Sequence, residues 1–153
     1  MIDSPNTPHE SCDYSVMRKP SCLICQKHRG EGPLTGPVIY QDELLHIAHR
    51  ASGPLGYAFI ETQRHVPAMD ELTDVEAHAV GRMRSRLARG LRSELDVKWV
   101  HSFVAGIAVP HFHEHVLVRY AETPEQYEWH QQWPNAPQGD IPALTERLGA
   151  YLT

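Results

Sequence analysis

In one run of this chain three histidines alternate with other residues, and no other pattern in the sequence says more about the local structure. It reads Val109-Pro110-His111-Phe112-His113-Glu114-His115 and continues into apolar, β-branched residues up to Arg119. Alternation with a period of two is typical of a β-strand, so we expect the three imidazoles to project from one face of a sheet. Pro110 suits the first position of such a strand, because proline has no N–H to contribute to the ladder.

Three interpretations of this histidine row are open at this point. The chain has eleven histidines, so a surface strand on which three of them cluster by chance is one interpretation. Alternate strand residues can share a metal ion, which is the second. The third is a nucleophilic histidine with a helper on either side, because imidazole titrates near neutrality and can attack phosphorus.

A second informative element is the pair Cys22-Leu23-Ile24-Cys25. Two cysteines at this spacing can place two thiolates on one tetrahedral Zn²⁺. Redox activity is the competing interpretation, but no predicted strand precedes the pair. Two buried thiols without a metal are the remaining alternative. Because no second cysteine pair follows, a zinc ion here would need histidine ligands from far along the chain.

The composition limits the class of protein. The 153 residues, 41% hydrophobic and 22% charged, predict a single globular domain over residues 21–153 after a flexible, proline-containing tail over residues 1–20. The net charge of −5 argues against nucleic acid as a partner. No apolar run approaches the ~18 residues of a membrane span, and no secretory signal pattern opens the chain. We therefore expect a cytoplasmic protein with reduced cysteines and no membrane partner.

Apolar periodicity predicts about five strands and two helices. In chain order these are a β-hairpin over residues 38–49, a strand over 57–62, a helix from about 70 to 95, a strand pair over 97–104 and 109–119, and a short helix after 140. Thr73 and Glu76 can form a capping box near the start of the long helix. The arginines on one side of this helix are expected to form a solvated face. Residues 120–139, rich in proline and aromatic residues, should form an ordered loop.

Together, the histidine row and the order of elements before it resemble the histidine triad (HIT) family. The resemblance rests on His111-x-His113-x-His115, followed by apolar residues and Arg119, and it covers about Cys22 to Arg119. It implies an α+β fold with an antiparallel sheet of about five strands, one long helix and a short C-terminal helix. It also implies a homodimer that hydrolyses or transfers nucleotides, acting on a dinucleoside polyphosphate or a nucleoside phosphoramidate-like substrate.

The resemblance also implies roles for individual residues. His113 would be the nucleophile that forms a nucleotidyl-histidine intermediate, while His115 and His111 are candidates to hold phosphate oxygens or protonate the leaving group. Cys22, Cys25 and His65 are similar to zinc ligands of the zinc-bearing members and of the related galactose-1-phosphate uridylyltransferases. In those proteins the fourth ligand corresponds to His111. A zinc ion with these four ligands has no open position, so its role would be structural.

The chain departs from the family pattern in three places. A Gly-Gln-Ser or Gly-Gln-Thr usually precedes the triad, but this chain has Gly106-Ile107-Ala108-Val109. Backbone N–H groups near Gly106 and Val109 remain candidates for binding the substrate phosphate. His49 stands, by spacing, where the family commonly has an aspartate that accepts a ribose hydroxyl, so we expect it to contact substrate. Glu114 replaces an apolar residue and should be partly exposed or paired with a cation. A nucleotide-binding protein with weak turnover therefore remains an alternative, as does a nucleotidyl transferase.

Overall fold

The computed structural model describes residues 19–153, so residues 1–18, with Cys12 and nearly all of the predicted tail, lie outside the described part of the chain. In chain order the elements are α1 (Leu23–His28), β1 (Val38–Gln41), β2 (Leu45–His49), β3 (Tyr57–Thr62), a 3₁₀ turn (Met69–Glu71), α2 (Asp74–Glu94), β4 (Val97–Phe103), β5 (His113–Tyr120) and α3 (Ile141–Leu152). The predicted α+β class with five antiparallel strands is confirmed. The single domain over residues 21–153 stays a prediction. Within the described range, no helix has both the length and the apolar composition needed to cross a membrane.

The five strands form one antiparallel sheet in the order β1-β2-β3-β5-β4. The register of β3 and β5 places Glu61 opposite His113 and Phe59 opposite His115. β4 lies at the edge of the sheet and places Phe103 on the other side of His115. Because alternate strand residues and their direct partners face the same side, these five side chains lie on one face of the sheet.

The strand that carries the histidines begins later than the sequence pattern predicts. β5 starts at His113, and the residues just before it form bends. The His111 amide donates to the carbonyl of Val109 at 2.8 Å, and the Phe112 amide donates to the carbonyl of Val66 at 2.6 Å. These bonds turn the chain before the sheet begins. The prediction of a strand from Val109 was therefore wrong, and His111 lies in front of the strand.

Helices α2 and α3 pack on the other face of the sheet and bury the core. α2 begins at the predicted capping box, in which the hydroxyl of Thr73 accepts from the Glu76 amide and the Glu76 carboxylate accepts from the Thr73 amide. α2 continues unbroken through Gly90, where a Cβ would lie 3.1 Å from side-chain atoms of Leu148 and Tyr151 in α3. Fully buried side chains of the core are Leu45, Ile47, Ile60, Met83, Leu87, Leu91, Leu144 and Leu148. Each such side chain contributes about 1.5–3 kcal/mol of burial free energy.

The arginine side of α2 is largely exposed, as the sequence predicts, and two of its arginines also make contacts with the sheet. Arg84 forms a two-point ion pair with Glu114, whose side chain is buried. Arg92 donates to the backbone carbonyls of Val97 and Lys98 at 3.4 and 3.2 Å. Both residues remain exposed, as the solvated-face prediction expects, and they also connect the helix to β4 and β5. The prediction that Glu114 would be supplied with a cation is confirmed.

Candidate active site and metal centre

His113 opens β5 with its ring in a defined tautomer. Its Nδ1 lies 2.6 Å from the carbonyl oxygen of His111. A carbonyl only accepts, so Nδ1 carries the proton and Nε2 keeps its lone pair. Among the described residues, Nε2 has no hydrogen-bond partner. His113 therefore presents the nitrogen that a nucleophilic role requires.

His115 lies two residues further on the same face and is held on several sides. The hydroxyl of Tyr57 lies 2.8 Å from its Nδ1, and the ring of Phe103 is stacked on it at 4.4 Å. Burial, with a smaller contribution from His113, lowers the pKa of His115 to about 4, so the ring is neutral at pH 7. Burial raises the pKa of Tyr57, which therefore keeps its proton. In the tautomer in which Tyr57 donates to Nδ1, the proton of His115 lies on Nε2, where it can be donated to a substrate oxygen.

A pocket of about 310 Å³ opens beside these two histidines, at the lower end of the range for small-molecule sites. Its apolar wall consists of Ile24, Pro33, Leu34, Ala51, Phe59 and Val109. Its polar lining consists of Lys27, Arg50, Ser52, Glu61, His113 and His115. The predicted substrate residue Val109 thus lines the pocket. Gly106 does not line it; it lies on an exposed loop with a φ of 66°, a conformation that favours glycine.

Four side chains from distant parts of the chain come together, and one of them is His111, the first histidine of the triad. Their ligand atoms, from Cys22, Cys25, His65 and His111, lie within 4.8 Å of one another. His111 Nδ1 lies 3.5 Å from the sulfur of Cys22 and 3.4 Å from that of Cys25, and His65 Nδ1 lies 3.5 Å from the sulfur of Cys25. A tetrahedral zinc ion with usual bond lengths sets its sulfur and nitrogen ligands ~3.5 Å apart. The donor set and its spacing therefore fit zinc.

The backbone around these four residues prepares them as ligands. His111 Nε2 donates to the carbonyl of Thr62 at 2.7 Å, which leaves the Nδ1 lone pair directed at the thiols. Burial lowers the pKa of His111 to about 4, so the ring is neutral, as a ligand must be. Cys22 caps α1, a helix that the sequence did not predict, and its sulfur accepts from the Cys25 amide at 3.5 Å. His111 thus belongs with the thiols, and its Nδ1 does not point into the pocket.

A second buried cluster, which the sequence did not reveal, lies between α1 and the sheet. The carboxylate of Glu61 accepts from Lys27 Nζ at 2.7 Å and from His28 Nε2 at 2.8 Å, and His46 Nδ1 lies 3.3 Å away. Burial alone would raise the pKa of Glu61. The hydrogen bond from His28, the nearby ring of His46 and the ion pair with Lys27 outweigh it and hold the pKa of Glu61 well below its ordinary range. Glu61 is therefore an anion inside the protein.

His49 does not contact the pocket as predicted. Its side chain is buried, its Nδ1 donates to the carbonyl of Arg50 at 2.8 Å, and its Nε2 accepts from the amide of Gly56 at 2.9 Å. Both nitrogens are thus used by the backbone around the loop after β2, which corrects the expected contact with substrate. Arg50, the next residue, lines the pocket instead.

The segment 120–139 packs against the sheet as the ordered loop that we predict. The ring of Trp129 lies 5.8 Å from Phe103 and 5.7 Å from His101, and 45% of the residue remains exposed. Arg119 holds the segment by donating to the carbonyls of Tyr127 and Pro124. The loop therefore extends the aromatic stack that begins at His115.

Solved structures of histidine triad proteins share this fold. A Zn-bound histidine triad family protein from Mycobacterium smegmatis is 20% identical, with a TM-score of 0.66 over 86% of this chain and 93% of that chain. A hypothetical histidine triad nucleotide-binding protein from Sulfolobus tokodaii is 15% identical, with a TM-score of 0.66 over 86% of this chain and 91% of that chain. A HIT family member from Bacillus subtilis is 26% identical, with a TM-score of 0.55 over 67% of this chain and 75% of that chain.

No protein-family model and no curated protein matches the chain. The chain has the histidine triad fold, and the resemblance seen in the sequence is confirmed at that level. The finer relation to galactose-1-phosphate uridylyltransferases stays a prediction.

Proposed function

We propose that this protein is a nucleotide hydrolase or nucleotidyl transferase of the histidine triad type, with His113 as its nucleophile. The observation that carries the proposal is the tautomer of His113, whose Nδ1 donates to the His111 carbonyl while Nε2 keeps a lone pair beside the pocket. Structural relatives described as a nucleotide-binding protein and as a hydrolase support the same class.

The reaction would proceed in two displacements. His113 Nε2 attacks the α-phosphorus of a dinucleoside polyphosphate or a nucleoside phosphoramidate, and the bond from phosphorus to the leaving group breaks. His115 Nε2–H holds a phosphate oxygen or delivers the proton that the leaving group takes, a contribution of about 10²–10⁴-fold. Water, or another acceptor in a transferase, then attacks the phosphorus, and the bond from phosphorus to His113 Nε2 breaks. A nucleoside monophosphate leaves, and His113 is regenerated.

We propose zinc as the resident metal of Cys22, Cys25, His65 and His111. All four coordination positions would be taken by protein atoms, so the ion would supply folding free energy and no chemistry on the substrate. His111 would link the two sites, since its side chain is a ligand and its carbonyl fixes the tautomer of His113. Reduced thiols are needed for such a site, which is consistent with the predicted cytoplasmic location.

The covalent intermediate tests the function directly. We expect brief incubation with diadenosine tetraphosphate or adenosine phosphoramidate, quenched without acid, to add one adenylate that maps to His113. His113→Ala should lower turnover by at least about 10³-fold and keep the fold and nucleotide binding. His130→Ala, which changes an exposed histidine beside Trp129, is the matched control and should keep turnover. Undiminished turnover in His113→Ala would remove His113 as the nucleophile.

A nucleotide-binding protein with weak turnover is the second candidate function, and the loop before the triad favours it. This loop carries Ile107, which is 90% exposed, and Ala108 where the family usually has two polar phosphate contacts. Tight binding of adenosine monophosphate without an adduct or product would favour this candidate over the enzyme.

We also keep the prediction of a homodimer. β4 is an edge strand, so no strand among the described residues pairs with its outer side, and Trp99 on this strand is 56% exposed. An exposed edge with a large apolar side chain is a surface that a second copy can cover. Sedimentation at micromolar concentration should give twice the monomer mass of 17.3 kDa, and a monomer would contradict the prediction.

A further inference from the structure

Arg50 is a cation on the wall of the catalytic pocket, and the proposed mechanism assigns it no role. It follows β2, its amide donates to the Tyr57 carbonyl at 2.9 Å, and its side chain is half-buried. Its guanidinium carbon lies 4.7 Å from the centre of the Tyr57 ring. The hydroxyl of the same tyrosine binds His115. Arg50 and His115 therefore contact the same side chain, one at the ring face and the other at the hydroxyl.

The acidic residue in the lining of the pocket does not pair with Arg50. Lys27 and Arg50 are the lysine and arginine of its lining, and Glu61 is its acidic residue. The Glu61 carboxylate lies within ion-pair distance of Lys27, His28 and His46. Within residues 19–153, no carboxylate lies within ion-pair distance of Arg50. Arg50 is therefore a positioned cation that pairs with no carboxylate among residues 19–153.

The loop around Arg50 keeps the guanidinium accessible to a ligand. Gly53 has a φ of 98°, and a Cβ at this position would lie 3.5 Å from Arg50 Nη2. The loop thus passes close to the guanidinium without a side chain over it at this point. The ring of Tyr57 packs against the guanidinium from another side. The Arg50 side chain therefore has fewer rotamers to lose when it binds a ligand. A guanidinium with unused N–H groups in a pocket is suited to bidentate binding of a phosphate.

We infer that Arg50 forms an anion subsite in the catalytic pocket, which binds a second phosphate of the substrate besides the one attacked by His113. The inference deepens the proposed function and rests on it for the position of the first phosphate. The buried His49 precedes Arg50, so this wall of the pocket offers a cation and no free carboxylate to a sugar. The second phosphate is either a substituent on the sugar or the next unit of a polyphosphate chain.

Binding titrations with three adenine nucleotides test the inference. We expect wild type to bind either adenosine 3′,5′-bisphosphate or adenosine 5′-diphosphate about ten- to hundred-fold more tightly than adenosine 5′-monophosphate. A preference for the bisphosphate places the second phosphate on the sugar, and a preference for the diphosphate places it in the chain. Arg50→Met should remove the preference, and Arg50→Lys should retain part of it. Arg89→Met, at an exposed arginine of α2 that binds Ser85, is the matched control.

The remaining outcomes separate the subsite from the proposed function. Equal affinity of wild type for all three nucleotides, or a preference that survives in Arg50→Met, would overturn the subsite. If wild type binds no adenine nucleotide and forms no adduct, the proposed function fails for adenine substrates. Inorganic pyrophosphate is then the probe. Weaker binding of pyrophosphate by Arg50→Met supports the subsite, and unchanged binding overturns it. Matching thermal unfolding of the variants shows that the fold is retained.

Discussion

Two polar clusters each include residues of α1 or its N-cap, and they differ in where their positive charge comes from. The cysteine–histidine cluster (Cys22, Cys25, His65, His111) holds two thiols and two neutral imidazoles. The glutamate cluster (Lys27, His28, His46, Glu61) holds one carboxylate, one ammonium and two imidazoles. The two are adjacent, since the rings of His28 and His111 are 5.4 Å apart. Both have histidine and anionic ligand atoms close enough together to surround a metal ion.

The charges of the two clusters favour the cysteine–histidine cluster as the proposed zinc site. Thiols that bind a metal as thiolates bring negative charge into the interior, and a bound Zn²⁺ would balance that charge. In the glutamate cluster the ammonium of Lys27 is 2.7 Å from the carboxylate and already neutralises it. A divalent ion added there would leave a net positive charge in the interior. The presence of suitable ligand atoms is therefore not enough to predict a metal site.

The largest expected effect is the loss of the metal from the cysteine–histidine cluster. Cys25→Ser should abolish binding of one zinc equivalent and lower the free energy of unfolding by about 5 kcal/mol or more, because a structural zinc ion contributes directly to folding. Elemental analysis and thermal unfolding with and without a chelator measure both quantities. Cys12→Ser is the control and should keep the metal. A Cys25→Ser protein with a full zinc equivalent would contradict the assignment.

The same two clusters show what could be predicted from the sequence. The spacing of Cys22 and Cys25 and the histidine row led to the prediction of a metal site and a nucleophile, because both patterns repeat at short intervals. The glutamate cluster assembles from residues up to 34 positions apart, so no local period marks it. A signal did exist: His46 and Glu61 interrupt apolar strands, and a polar residue inside such a strand must be paired.

The errors of prediction have physical causes of the same kind. His49 was placed at the pocket by its spacing, but spacing does not give the direction of a ring, and the backbone of the loop after β2 takes both of its nitrogens. The strand was started at Val109 because the alternation begins there. The amide of His111 instead binds back to Val109. The long helix and its cap were predictable because their signals are local.

The next largest effect is expected in the glutamate cluster. Glu61→Gln leaves the ammonium of Lys27 buried without its anion, which costs about 3–5 kcal/mol of the free energy of unfolding. Zinc content should stay at one equivalent, because none of the four zinc ligands has changed. Urea unfolding and elemental analysis of the same sample check both statements. If Glu61→Gln loses the metal while Cys25→Ser retains it, the assignment of the two clusters is reversed.

The difference in unfolding free energy between wild type and Glu61→Gln should depend on pH, and this dependence is a smaller effect. The pKa of Glu61 is lower in the folded protein than its ordinary value of 4.5, so the unfolded chain binds the proton more readily. The stability that the carboxylate contributes is therefore complete above pH 4.5 and is lost as the pH falls further below it. We expect the difference between wild type and Glu61→Gln to shrink between pH 4.5 and 3.5. A difference that grows over this range would contradict the ion pair as its source.

The smallest effect is expected when both charges of the glutamate cluster are removed together. Lys27→Met combined with Glu61→Gln leaves no buried ion, and a hydrophobic replacement of a buried pair is typically neutral within about 1–2 kcal/mol. The double variant should therefore unfold at a higher urea concentration than Glu61→Gln alone, with a coupling energy that a double-mutant cycle measures. In the cysteine–histidine cluster the proposed balancing cation is a zinc ion. If Lys27→Met fails to rescue Glu61→Gln, the carboxylate stabilises the fold through its histidines and not through the ammonium.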